Sequence, residues 1–64
     1  MTQNEAILDY IKKHGGITPL EAMQYLGIMR LASRIHDLKK LGFEIADEMV
    51  TSNNGRRFKV YRLA

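Results

Sequence analysis

Ile7, Leu8 and Ile11 recur at helical spacing near the start of the chain, with His14 in line and Tyr10 at the margin, while Asp9, Lys12 and Lys13 fall largely on the opposite side. This pattern predicts an amphipathic helix over residues 3–14. Its start is marked by Thr2-Gln3-Asn4-Glu5, where a threonine hydroxyl and a glutamate three positions later can satisfy orphan backbone amides reciprocally. Gly15-Gly16, two residues that tolerate positive φ, predicts its end, and Ile17 then adds one short extended segment. The same start signal returns in Thr18-Pro19-Leu20-Glu21, now with proline at the first helical position, where a missing N–H costs nothing. A second helix over 19–26 follows. Leu20, Ala22, Met23 and Leu26 form its apolar side, and Gly27 closes it as a left-handed cap.

The next helix must begin almost at once. Ile28, Leu31, Ala32, Ile35, Leu38 and Gly42 lie along one side of a helix expected over 29–41, with Leu41 near its edge. Arg30, Ser33, Arg34 and Asp37 share another side. After Gly42 the period shortens to two. Phe43, Ile45, Asp47, Met49 and Thr51 alternate with Glu44, Ala46, Glu48 and Val50, which predicts a strand over 43–51 with a bulge or fray near Asp47-Glu48. Thr51-Ser52-Asn53-Asn54-Gly55 is dense in turn formers, and Asn54-Gly55 is the strongest short hairpin signal in the chain. A return strand over 57–63 puts Phe58 and Val60 on one face and Lys59, Tyr61 and Leu63 on the other. The fold class expected is α+β: one domain over 1–64 in which three helices carry a C-terminal β-hairpin, a winged helix-turn-helix.

Composition narrows the picture. A chain of 64 residues buries only about 60% of the surface its unfolded form exposes, so its stability margin is thin. With no cysteine, neither a disulfide nor a thiolate metal site can help, and an apolar core, with or without a partner, must hold the fold. No apolar stretch approaches the roughly 20 residues needed to span a bilayer. The opening MTQNEAILDY lacks the basic start and apolar centre of a signal peptide, so a soluble cytoplasmic protein is expected. Charge is divided unevenly. Two lysines face three carboxylates from Met1 to Ile28, a net −1, whereas eight basic residues face four acids from Met29 onward, a net +4. A basic half of this kind is the footprint of a polyanion partner.

Arg30 and Arg34, one turn apart and flanked by Ser33 and Asp37, are the candidate base readers, because arginine can donate two hydrogen bonds to guanine O6 and N7 in a major groove. Met29 is placed to touch thymine methyls or a partner. The plainer reading of this face is a solvated helix surface with routine intrahelical ion pairs. At the hairpin tip Arg56 and Arg57, with Lys59 behind them and Asn53 and Asn54 beside them, can reach phosphates or enter a narrow minor groove. The plainer reading there is charge that keeps a sheet edge from aggregating. Lys39 and Lys40 suit the C-terminus of the third helix. Neither His14 nor His36 has metal-ligand spacing. Ser33 and His36 could meet, but no oxyanion hole or pocket accompanies them, so no enzyme activity, metal or cofactor is expected.

The run GITPLEAMQYLGIMRLASRIHDLKKLGFEI, followed by NNGRRFKVYRL, resembles the small helix-turn-helix domain proteins common in bacteriophages and prophages. In these a G-x-[IV]-[ST]-x-x-[ED]-A-x-x-x-[LY]-G-I segment leads into L-[AS]-[AS]-R-I-x-[DE]-L-[RK]-x-x-G-[YF] and a hairpin ending in Y-x-L. The resemblance covers nearly the whole chain. It implies a winged helix-turn-helix and DNA binding, as a phage transcriptional regulator or recombination accessory factor. By position, Arg30, Ser33 and Arg34 match the reading helix, and Asn54, Gly55 and Arg56 the wing tip. Met29 stands where many of these proteins have serine or threonine, so a helix cap is lost. Double-stranded DNA is the expected partner. A second copy of the chain would enlarge a contact that for single small modules covers only roughly 600–1,000 Å². The alternative is a protein-interaction module whose basic face meets an acidic partner. RNA binding through the wing is a third reading, without an aromatic stacking platform to support it.

Overall fold

The computed structural model describes residues 2–64. Along it run α1 (Gln3–His14), α2 (Pro19–Leu26), α3 (Leu31–Lys40), β1 (Ile45–Thr51) and β2 (Arg57–Leu63), three helices followed by an antiparallel two-stranded hairpin. Both capping boxes are formed. Thr2 Oγ1 accepts from the Glu5 amide at 3.1 Å while Glu5 accepts from the Thr2 amide at 3.3 Å. In α2 the Glu21 amide donates to Thr18 Oγ1 at 3.1 Å and the Thr18 amide to Glu21 Oε1 at 3.0 Å. Two orphan donors are thereby satisfied at each helix start.

The link between α2 and α3 is a left-handed turn. Gly27 takes φ +67°, a conformation that side chains with a Cβ disfavour, and its amide bonds to the Met23 carbonyl at 3.2 Å. The Ile28 amide then reaches back to the Ala22 carbonyl at 3.0 Å while its side chain is buried. Residues 28–30 are consequently held outside the helix, so α3 begins at Leu31 and not at Met29 as the side-chain pattern predicts. It also ends at Lys40, because the Gly42 and Phe43 amides turn back to the Lys39 and Leu38 carbonyls at 3.1 Å each. Phe43 and Glu44 therefore belong to the connection, and β1 starts at Ile45, where pairing with Leu63 begins.

The hairpin differs from expectation in one further way. Pairing runs in unbroken register from Ile45↔Leu63 to Thr51↔Arg57, with no bulge at Asp47-Glu48. Those two acids interrupt the hydrophobic alternation without disturbing the backbone, because each reaches a basic residue diagonally across the ladder: Asp47 lies 3.6 Å from Lys59, and Glu48 lies 3.6 Å from Arg62. The turn, over residues 52–56 between the strands, is wider than a two-residue Asn-Gly loop. Among the described residues only glycines have positive φ, whereas the type I′ turn would require it at Asn54 as well. Instead Ser52 and Arg56 close the ladder with an N–H···O bond of 2.8 Å, and Asn53-Asn54-Gly55 forms a three-residue loop in which Gly55, at φ +82°, bonds to the Ser52 carbonyl at 3.0 Å.

The core is mainly aliphatic. Ile7 and Ile11 of α1, Ala22 of α2, and Leu31, Ile35 and Leu38 of α3 close on Ile17, Ile28, Ile45 and Tyr61. Leu31, Ile35 and Leu38 follow i, i+4, i+7 spacing, which leaves Ala32 exposed. The expected apolar side of α2 is only partly used: Ala22 is buried, but Leu20 and Met23 remain 57% and 43% exposed. Ile17 supplies the short extended segment. Its amide and carbonyl exchange two 2.9 Å hydrogen bonds with Tyr61, which adds one residue of a third strand to the outer edge of β2. Alternation in β2 is overridden at this point. Val60 and Tyr61 are both buried, because Tyr61 joins the core while Val60 presses on the Gly16 backbone from the other face. A Cβ added to Gly16 would lie 2.8 Å from Val60 Cγ1, so Gly16 is there for close approach, and only Gly15, at φ +84°, serves as the left-handed cap of α1.

Candidate nucleic-acid interface

The basic residues sort by whether a carboxylate already holds them. Arg34 Nη2 lies 3.4 Å from Asp37 Oδ2, one turn along α3. Lys39 and Lys59 converge on Asp47 at 4.0 and 3.6 Å. Arg62 reaches Glu48 at 3.6 Å and donates to the Gly15 carbonyl at 3.1 Å, which ties β2 to the end of α1. Among the described residues Arg30, Arg56 and Arg57, and with them Lys12 and Lys40, make no ion pair. The pairs that do form are half-exposed and contribute about 0.2–1 kcal/mol each, little enough for a phosphate to displace.

Met29, Arg30 and Arg34 come together at the start of α3, where with Gln3, Gly27 and Ile28 they line a shallow depression. Met29 is 79% exposed. Arg30 occupies the N-cap position with φ −123° and ψ 63°, and its side chain makes no capping bond. The threonine caps of α1 and α2 instead have ψ 165° and 159°, the extended geometry from which a hydroxyl can reach the first-turn amides. The orphan amides of the first turn of α3 are thus left without a side-chain acceptor. Ser33 and Asp37 are half-buried on this helix, and Asp37 aligns the Arg34 guanidinium.

The wing residues form a separate group. Arg56, Arg57 and Lys59 border an open groove with the first turn of α2. Asn53 is exposed at the tip. Asn54 is partly committed to the loop itself: its Oδ1 accepts from the Ser52 hydroxyl and from the Arg56 amide, the latter at 3.4 Å. Its role is first to shape the tip that carries Arg56. Gln3, and Pro19 and Leu20 beside the wing, were not among the residues singled out by sequence. Nothing in the local pattern could have found them, since they reach these places only when α1 folds against α3 and α2 against β2.

Beside the first turn of α2, Tyr10 packs on His14 and Tyr25, with ring centroids 4.3 and 6.2 Å away, and donates from its hydroxyl to Glu21 Oε2 at 2.9 Å. Desolvation, together with the Glu21 carboxylate that accepts its proton, pushes the Tyr10 phenol up from its ordinary 10.0. His36 is exposed. Among the described residues no helix is long and apolar enough to cross a membrane.

Three helices with a tight glycine turn before the third, a hairpin beyond it, and an edge bridge between the α1–α2 link and the second hairpin strand are the parts of one known architecture. The family described as the winged helix-turn-helix domain matches residues 2–64. The chain belongs to this family. No curated protein and no solved structure matches the chain. In this winged helix-turn-helix domain α2 and α3 are the helix-turn-helix pair and the 52–56 loop is the wing tip. The fold suits DNA binding because it offers one helix of groove-filling size and one projecting loop.

Proposed function

We propose that this winged helix-turn-helix domain binds double-stranded DNA without catalysis, as a phage or prophage transcriptional regulator or recombination accessory factor. The N-terminal half of α3 enters the major groove. Arg30 and Arg34 donate to guanine O6 and N7, Ser33 adds a hydroxyl, and Met29 covers a thymine methyl. Asp37 holds Arg34 in position and can itself accept from a cytosine amine. The wing sits on the flanking backbone or minor groove through Asn53, Asn54, Arg56, Arg57 and Lys59.

The observation that carries this reading is the distribution of free cations. Arg30 at the head of α3 and Arg56-Arg57 at the wing lack carboxylate partners among the described residues, while most of the other basic residues of the C-terminal half are neutralised within the domain. Arginine in particular suits planar, two-point recognition of guanine and phosphate. Anisotropy titrations with pooled genomic duplexes, followed by single selected sites, test the assignment. Arg34→Ala should flatten discrimination between sites at constant salt. Arg56→Ala with Arg57→Ala should weaken all sites and shallow the salt slope by about one unit per lost phosphate contact. Equal losses on every sequence from both variants would overturn the division of roles, and flat titrations of the parent domain at low salt would overturn DNA binding itself.

A further inference from the structure

The hairpin register leaves part of one sheet edge open. The bonds joining Ser52 to Arg56 and Ala64 to Glu44 show that even-numbered residues of β2 direct their backbone groups toward β1. Paired and unpaired positions alternate along an antiparallel ladder, so Arg57, Lys59 and Tyr61 direct theirs to the opposite edge. Tyr61 spends both groups on Ile17. The chain then leaves that edge at Thr18 to begin α2, and the outward N–H and C=O of Lys59 and Arg57 find no partner among the described residues.

Beside this edge lies the groove between the first turn of α2 and β2. Pro19, Leu20 and Phe58 give it apolar walls, with Leu20 57% and Phe58 36% exposed, while Arg56, Arg57 and Lys59 give it a basic rim. Its one acid, Glu21, is already occupied at both oxygens by the Thr18 amide and the Tyr10 hydroxyl.

We propose that this groove binds an extended acidic segment of a partner protein, which adds to the open edge of β2 as a strand. The backbone of Lys59 and Arg57 presents donors and acceptors together, which a peptide can match and a phosphate, an acceptor only, cannot. A segment that alternates apolar and acidic residues offers apolar side chains to the walls and carboxylates to the basic rim. Sugar and phosphate have no comparable use for the apolar walls. The inference stands on the edge, the walls and the rim, independently of DNA binding. If the wing also contacts DNA, the segment competes for Arg56 and Arg57 and becomes a means of releasing it.

The test uses the whole domain and a short labelled peptide of alternating valine and glutamate, with lysine replacing glutamate in a control and N-methylated backbone in a second. Binding of the acidic peptide should protect the Lys59 amide from hydrogen exchange, and both controls should fail. Leu20→Gln, at an exposed position whose thermal melt should match the parent, removes an apolar wall without changing the charge and should weaken binding. Arg56→Ala with Arg57→Ala should weaken it about tenfold. No binding of the acidic peptide, equal binding of the lysine control, or no gain in protection at Lys59 would overturn the proposal. So would protection of Lys59 by duplex DNA and not by peptide, an outcome that would leave DNA binding intact and assign the groove to it.

Discussion

Gly16→Ala is the substitution whose effect can be worked most directly from the structure. The new methyl would lie 2.8 Å from Val60 Cγ1, 3.3 Å from the Tyr61 carbonyl oxygen and 3.4 Å from Arg62 Cγ. Val60 is β-branched and buried, so it has little rotamer freedom with which to retreat. The Tyr61 oxygen is held by the Ile17 amide at 2.9 Å and can move only by stretching the bridge that docks β2 on the helices. Overpacking of this kind costs about 1–3 kcal/mol. Loss of glycine's freedom in the unfolded chain returns about 0.4–1 kcal/mol, which leaves a net loss of about 1–2 kcal/mol. For a domain of this size that lowers Tm by about 4–15 °C. Melts followed by far-ultraviolet circular dichroism read it. Two companions separate the steric cause from backbone strain. Gly15→Asn, at φ +84° with nothing near the added Cβ, should be tolerated, because asparagine visits the left-handed region. Gly16→Ala combined with Val60→Ala should fall short of the summed single effects. A Gly16→Ala melt indistinguishable from the parent, or a Gly15→Asn variant that is the more damaged of the two, would refute the reasoning.

Arg30→Asp supplies the missing cap of α3 and a favourable charge at its N-terminus, and should raise stability by about 0.5–1 kcal/mol. The gain sits at the lower end because the backbone must first leave its ψ of 63°; a lower Tm would contradict the cap assignment. Tyr10→Phe tests the tyrosine–glutamate bond through pH. With its folded pKa raised above 10.0, the phenol contributes stability that is fully present below that pH and is lost as pH rises through the folded value. Denaturant titrations should therefore show parent stability falling more steeply above pH 10 than that of Tyr10→Phe, and parallel curves would contradict the assignment.

What could be read before folding was whatever depends on residues a few positions apart. The two capping boxes, the Gly27 turn and the change from helical to alternating period are such features, and all are present. The start of α3 misled because side-chain periodicity continues through Met29 and Arg30 while the Ile28 backbone bond to Ala22 holds those residues out of the helix. The expected bulge misled for a related reason: acids in a strand look like an interruption until their cross-strand bases are known. Candidate residues on α3 and the wing were visible as a basic, arginine-rich pattern. The Arg34–Asp37 pair, one turn apart in a helix, was visible too, but the ties that hold Lys59 and Arg62 across the ladder and Lys39 from α3 were not.

By itself, then, the sequence determined the elements, their order and the basic character of the C-terminal half, since helix caps, glycine turns and hydrophobic period act over a single turn of chain. Tertiary structure alone decided that Gly16 is a point of contact and not a cap, that Val60 and Tyr61 are both buried, and that Ile17 starts a third strand and stops after one residue. Each of those depends on segments more than forty residues apart meeting within van der Waals or hydrogen-bond distance, a constraint no local pattern can carry.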